Sequence, residues 1–315
     1  MTFPGAVFVE PAASEPGAWL PLSPFVREDR KVVASGSTVA YTRALEFEGR
    51  TFLVTHDHAL VPKDRVRPYP RYSFHGVELD GEEALPIAFF REHGRSRYRR
   101  SSEGAFVKTG ESWPRLGHVG LTGATARSGG ETFLQTVEPG VYVLEDDATV
   151  VREQPVPPVV LAEGSTGRHT WIDISVLGGT LTAYEGATAV YVTLVSPGRG
   201  GVPVRGVDAL KTAATPTGTF RVDGKFITAT MVSSTDDLLV HTEVQYVQNF
   251  HGPHALHGAY WHDAWGEKKS GGCVNLSPID AKRLFTWSEP ALPEGWYGLR
   301  STPDLGVATV IVIHD

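Results

Sequence analysis

The chain has 315 residues, enough for two domains with separate cores, and its 41% hydrophobic and 21% charged residues are those of an ordinary globular protein. A net charge of −7 argues against nucleic acid as a partner, because that binding rests mainly on Lys and Arg neutralising phosphate. No run approaches the roughly 20 apolar residues of a membrane-spanning helix, and a single cysteine excludes an internal disulfide.

Abundant Gly and Pro, with recurring short runs of Val and Thr, predict many short strands joined by turns. The opening MTFPGAVFVEPAASEPG has neither a basic n-region nor an apolar h-region, so no signal peptide is visible; the chain is read as cytoplasmic or as a mature exported form. VAYTRALEFEGRTFLVT (39–55) is echoed by VGLTGATARSGGETFLQT (119–136), with Gly-x-Thr-Phe-Leu-x-Thr repeated 81 residues apart. Such spacing suggests a duplicated small β-module, with similar hairpins of one β-domain as the alternative. REHGRSRYRR (91–100) carries five arginines and reads as a solvated, mobile hairpin tip rather than a polyanion site. REQPVPPVVLAEGSTGRHT (152–170) has the composition of a linker, dividing the chain into residues 1–160 and a second domain at 168–315.

Beyond it, TWIDISVLGGTLTAYEG (170–186) alternates at period two around Gly178-Gly179, a hairpin. AVYVTLVSPG (189–198) is a further strand, and GTFRVDGKFITATM (218–231) a second hairpin turning at Asp223-Gly224. SPIDAKRLFTWS (277–288) is the one convincing helix, with Ser277 as N-cap and Pro278 in the first turn. GVATVIVIH (306–314) reads as a fully buried strand.

Cys273 lies in SGGCVNLSP (270–278), downstream of HGPHALHGAYWH (251–262). Three roles compete for it. A core cysteine is the commonest, but two preceding glycines leave little to cover the thiol. A zinc site with His251, His254, His257 and His262 is opposed by Gly252, Pro253 and Gly258, which break the helix such spacing needs, and by alternation along a strand. The third is an acyl-transfer pair with His257. The carbonyl of Gly258 can take Nδ1–H of that ring and turn Nε2 toward the thiol. The amides of Gly272 and Cys273 then offer an oxyanion pocket, and the approaching helix start is expected to lower the thiol pKa. This reading explains the thiol and the base together.

HGAYWHDAWGEKKSGGCVNLSPIDAKRLFTW (257–287) resembles the signature of the L,D-transpeptidases, the YkuD domain. His257 matches the signature histidine, Gly258 the residue whose carbonyl orients it, and Ser270, Gly272, Cys273 and Asn275 the remainder. TPTGTF (215–220) and WIDISVLGGTLTAYEG resemble two further family segments, so the likeness spans roughly 168–315. Gly271 stands where the family has a histidine, and the spacer is somewhat short. The resemblance implies a mainly β fold: a YkuD-like β-sandwich with one helix after the cysteine, its thiol in a cleft. The β-rich N-terminal region before it loosely resembles SH3-like wall-binding modules. It implies cysteine-dependent acyl transfer on peptidoglycan stem peptides in the periplasm or cell wall, without metal or other cofactor, to an acceptor amine left open. Ser270, Gly271, Asn275, Tyr246 and Trp261 are expected to contact substrate, and His254 to be a surface residue. A wall-binding protein with a weakened site, or an L,D-carboxypeptidase, is the alternative.

Overall fold

The computed structural model describes residues 5–9, 33–162, 167–232 and 239–315, and for 5–9 only the backbone. The opening segment and residues 163–166 of the expected linker therefore lie largely outside the described residues. Among those described the protein is mainly β, arranged in three sheets. Among the described residues no helix is long and apolar enough to cross a membrane.

The apolar C-terminal run forms the strand Val310–His314, an interior strand, second from one edge, of a six-stranded sheet. It lies parallel to Thr170–Ser175 and antiparallel to Gly218–Arg221. Thr170–Ser175 and Thr180–Glu185 make the expected hairpin, and Thr188–Leu194 pairs beyond it. The segment 218–231 is not a hairpin. Gly218–Arg221 stays in this sheet, whereas Gly224–Val232 pairs with Val240–His251 and Gly298–Arg300 in another. The alternation marks strands without naming their partners: at Asp223-Gly224 the chain crosses between sheets, with Val222 buried in the core they share.

That second sheet carries Val240–His251, His254–Gly258 and Val274–Leu276 side by side. One core joins the sheets through Ile172, Ile174 and Leu181 on one side and Phe250, Leu256, Val274 and Leu276 on the other. The helix Pro278–Trp287 covers it with Ala281, Leu284 and Phe285. Ser277 caps this helix as expected, its hydroxyl accepting from the amide of Asp280 at 3.0 Å.

The duplicated segments are both hairpins, Thr38–Phe47 with Arg50–Thr55 and His118–Ser128 with Glu131–Thr136. Each is followed by a three-residue strand, a 3-10 turn and another three-residue strand. Arg95–Arg100 is a strand rather than a hairpin tip, with Arg95 bonded to Asp147 and Arg97 to Glu138 at 2.7 and 2.8 Å.

The boundary near residue 160 is not a gap in packing. A helical turn at Pro158–Leu161 buries Val160 against Trp171, Tyr184 and Val310. Val77–Glu78 adds an edge strand to Thr188–Leu194. Val77, Ile87, Phe89 and Val151 share a core with Val192, Leu194, Ala259 and Trp265. Linker composition implied few contacts across 152–170, and it reads only that segment. It is blind to residues 74–90, which pack on the second half.

Candidate active site

The site begins with a strand register. His254–Gly258 pairs in parallel with Val274–Leu276, matching Leu256 to Val274 and His257 to Asn275. Alternation sends Leu256, Val274 and Leu276 into the core and His257 and Asn275 to the other face. Cys273, two residues before Asn275, falls on the face of His257. It packs with Trp261 against Val244, Val247 and Ala255. The structure thus brings Cys273, His257 and Trp261 to one surface.

His257 is 3% exposed. Its Nδ1 donates to the carbonyl of Gly258 at 3.1 Å, which places the ring proton on Nδ1 and leaves the Nε2 lone pair available. Burial, opposed by that hydrogen bond, pushes the imidazole down to about 4. The half-buried Cys273 donates from Sγ toward the carbonyl of Pro253 at 3.8 Å. Burial raises its thiol, and a hydrogen bond from the Ala255 amide only partly offsets this. The expected lowering by the helix start does not hold. A strand of three residues, about 10 Å long, separates Cys273 from Pro278, and helix-end effects fade within one turn. At rest both the thiol and the imidazole are neutral.

The turn before Cys273 is held from several sides. Ser270 Oγ donates to the Cys273 carbonyl and accepts from the Gly272 amide, the latter at 3.1 Å. The Gly272 amide is thereby committed, which removes it from the expected oxyanion pair and leaves the Cys273 amide as that pair's candidate. Ser270, only 6% exposed, builds the turn. Thr215 Oγ1 donates to the Gly272 carbonyl at 3.0 Å and accepts from the Gly198 amide at 2.8 Å. Gly272 has φ +130, and a Cβ there would stand 3.0 Å from both Ala214 O and His254 Nε2. Gly271 faces open space.

Other expected substrate contacts move into the framework. Tyr246 is buried in the main core, its ring 5.5 Å from Phe285, because Glu243 and Tyr246 with positive φ, together with the irregular register near Ala229, reset the alternation of their strand. Asn275 is 2% exposed, and its side-chain amide lies 3.1 Å from Nε2 of His262. Ala264 N–H donates to Nδ1 of His262 at 3.3 Å, and the atom of Asn275 facing Nε2 is its side-chain nitrogen. His254, expected on the surface, is 3% exposed against Gly272. Among the described residues no group of three or more His, Cys, Asp or Glu is placed to hold a metal ion.

Thr215 and His241 escaped the sequence reading. Thr215 stood in a recognised segment, so the signal was present. His241, whose ring stacks on Trp261, has no neighbouring motif.

Residues 169–313 match the family model of YkuD, the L,D-transpeptidase catalytic domain. This segment is a YkuD domain. No curated protein matches the chain. Among solved structures it is similar to an Enterococcus faecium L,D-transpeptidase mutant at 18% identity, covering 46% of this chain and 49% of that one, with a TM-score of 0.34. A Mycobacterium smegmatis L,D-transpeptidase is 17% identical over 78% of this chain and 89% of that one, at 0.36. The catalytic domain of the Enterococcus faecium enzyme, acylated by ertapenem, is 20% identical over 48% and 100%, at 0.33. The chain spans about half the length of the first of these. Within the YkuD domain, Cys273, His257 and the capped helix all fall inside the matched residues.

Proposed function

We propose that this protein is a cysteine L,D-transpeptidase acting on peptidoglycan stem peptides in the periplasm or cell wall. The observation that carries the reading is the placing of Cys273 and an Nδ1-anchored His257 on one face of a parallel strand pair inside a YkuD domain. His257 Nε2 takes the thiol proton as sulfur attacks the carbonyl carbon of the third stem residue, a diamino acid. The carbonyl π pair moves to oxygen, where the Cys273 amide faces it. Collapse breaks the C–N bond, the departing D-alanine amine takes the proton from His257, and a thioester remains. An acceptor amine then attacks the thioester and loses its proton to His257. Cys273 sulfur leaves and recovers a proton, completing a 3→3 cross-link.

A depressed imidazole and a raised thiol support this order of events. Neither group is charged before attack, so the proton moves with bond formation. The open space at Gly271 favours a second outcome, hydrolysis, since water can reach the thioester where a side chain would block it. The test is incubation with purified tetrapeptide muropeptides and mass analysis. Loss of D-alanine with dimer formation supports transfer, and loss without dimers identifies an L,D-carboxypeptidase. No loss of D-alanine defeats both. The similar domain solved with ertapenem attached motivates a parallel expectation: one carbapenem mass added to this protein and absent from Cys273→Ala.

A further inference from the structure

Trp261 stands between two histidines. Its ring centroid is 5.9 Å from that of His257, and its other neighbour is His241, lying nearly parallel to it at 4.5 Å and 12°. Two nearly parallel rings at that separation form an offset stack, which a tilt of the indole would disrupt. His241 is itself anchored. Its Nδ1 lies 3.1 Å from Thr38 Oγ1, and Thr38 Oγ1 lies 2.7 Å from the Tyr260 hydroxyl, which donates to the Thr242 carbonyl at 3.0 Å.

That last bond sets the direction of the others. The Tyr260 oxygen donates to a carbonyl, so it accepts from the Thr38 hydroxyl, and Thr38 in turn accepts from Nδ1–H of His241. Thr38 is fully buried, so water cannot replace a missing partner. Its strand is fastened on both sides: the Ala40 amide donates to Thr242 Oγ1 at 2.7 Å, and the Val240 amide to Ser37 Oγ at 3.0 Å. Thr38 and His241 are also register partners. A residue of the N-terminal hairpin is therefore the keystone of an aromatic wall beside Cys273 and His257.

We propose that Thr38 and His241 are positioning residues for the peptide acyl donor, locking the Trp261 indole as the wall against which that peptide lies across Cys273. The strand Thr38–Phe47 then completes the active site of the YkuD domain and does more than deliver it to the wall. This rests on the transpeptidase reading. Its discriminating variant is Thr38→Val, which keeps shape and removes the hydroxyl, with Thr38→Ser as the rescue and His241→Phe as a flat ring without a donor.

The experiment uses the full chain, a tetrapeptide muropeptide, and Trp261 emission taken as the difference between each variant and its Trp261→Phe counterpart. Thr38→Val is expected to raise KM about tenfold while kcat falls less, with Thr38→Ser within about twofold of the parent. Trp261 emission should move in Thr38→Val and His241→Phe and return in Thr38→Ser. Unchanged KM and unchanged emission in a folded Thr38→Val, or no rescue by serine, overturns the proposal. If Thr38→Val does not fold, His241→Phe decides by the same two readouts. A parent protein that turns over no muropeptide defeats the transpeptidase reading alone, because the emission still reports whether Thr38 holds Trp261.

Discussion

His257 and Gly258 are bonded to each other through Nδ1 and the main-chain carbonyl, 3.1 Å apart. The acceptor that orients the His257 ring is thus backbone and survives any change of side chain nearby. It follows that His257 cannot be weakened gradually by altering a carboxylate partner. His257→Ala is expected to lower kcat/KM for D-alanine release by about 10²–10⁴-fold, the usual worth of a positioned base. Cys273→Ser should lose at least as much, since an alcohol lacks an accessible anion. Both should keep the parent's circular dichroism spectrum. Retention of most of the rate in His257→Ala would transfer the role to His254 or His262.

The protonation states give a pH prediction with a definite sign. His257 must be neutral to act as base, and burial lowers it from 6.5 to about 4. The acid limb of kcat/KM should therefore fall near pH 4 rather than near 6.5. On the alkaline side the raised thiol makes iodoacetamide alkylation slow at neutral pH and faster only above pH 9. Slow labelling at neutral pH is therefore the expected behaviour of an intact site. Stability follows the same shifts. For His257 and His262, both lowered to about 4, the unfolded chain binds protons first as pH falls below 6.5. Their contribution is fully present above 6.5 and is lost between 6.5 and about 4. A Tm profile flat across that window would contradict the assignment.

The bond from His257 to the Gly258 carbonyl and the strand placing of His257 were legible in the sequence, because each depends on residues one or two positions apart. Gly258 follows His257, and a strand fixes which way the ring's neighbour points. What escaped depends on partners distant in the chain. Asn275 reads as a substrate contact until His262 is seen against it. Gly272 reads as an oxyanion donor until Ser270 claims its amide. Tyr246 reads as a substrate contact until the core is seen to bury it against Phe285. Thr38 and His241 are separated by 203 residues, and no local pattern announces their bond.

The two glycines before the thiol should respond oppositely to substitution. Gly272 holds φ +130 and backs onto Ala214 O and His254 Nε2, so Gly272→Ala meets both backbone strain and a contact with main chain. A loss of about 1–3 kcal/mol in stability is expected, together with a large fall in acylation as Cys273 shifts. Gly271 does not hold a positive φ, and a Cβ added there would meet nothing within 4 Å, so Gly271→His should fold as well as the parent. An imidazole there restores a possible donor beside the substrate, worth roughly one to two decades in rate if it is desolvated. It should also close the path for water and lower the ratio of hydrolysis to transfer. Denaturant melts and product ratios from muropeptide digests check both; equal behaviour of the two variants would contradict the turn described above.

The YkuD domain should not stand alone when cut at Gly167. Removing residues 1–166 takes away the edge strand Val77–Glu78, exposing the backbone of Thr188–Leu194. It also uncovers Val192, Leu194 and Trp265, which Ile87, Phe89 and the stacked ring of Phe74 now shield. Inside the domain, Asp280 would lose one donor to its fully buried carboxylate. The Gly76 amide donates to Oδ1 at 3.0 Å beside the hydroxyls of Tyr191 and Thr193. An uncovered apolar surface and an open strand edge together favour aggregation, so the Gly167 fragment is expected to leave solution or to elute as large species. A chain beginning at Tyr69 keeps all of these groups and should be the more soluble of the two. In the full chain, Phe74→Ala tests the shared core without truncation; a half-buried phenyl lost from such a contact should cost about 2 kcal/mol. A monomeric Gly167 fragment melting at the parent's temperature, with Phe74→Ala neutral, would show that the halves touch without sharing stability.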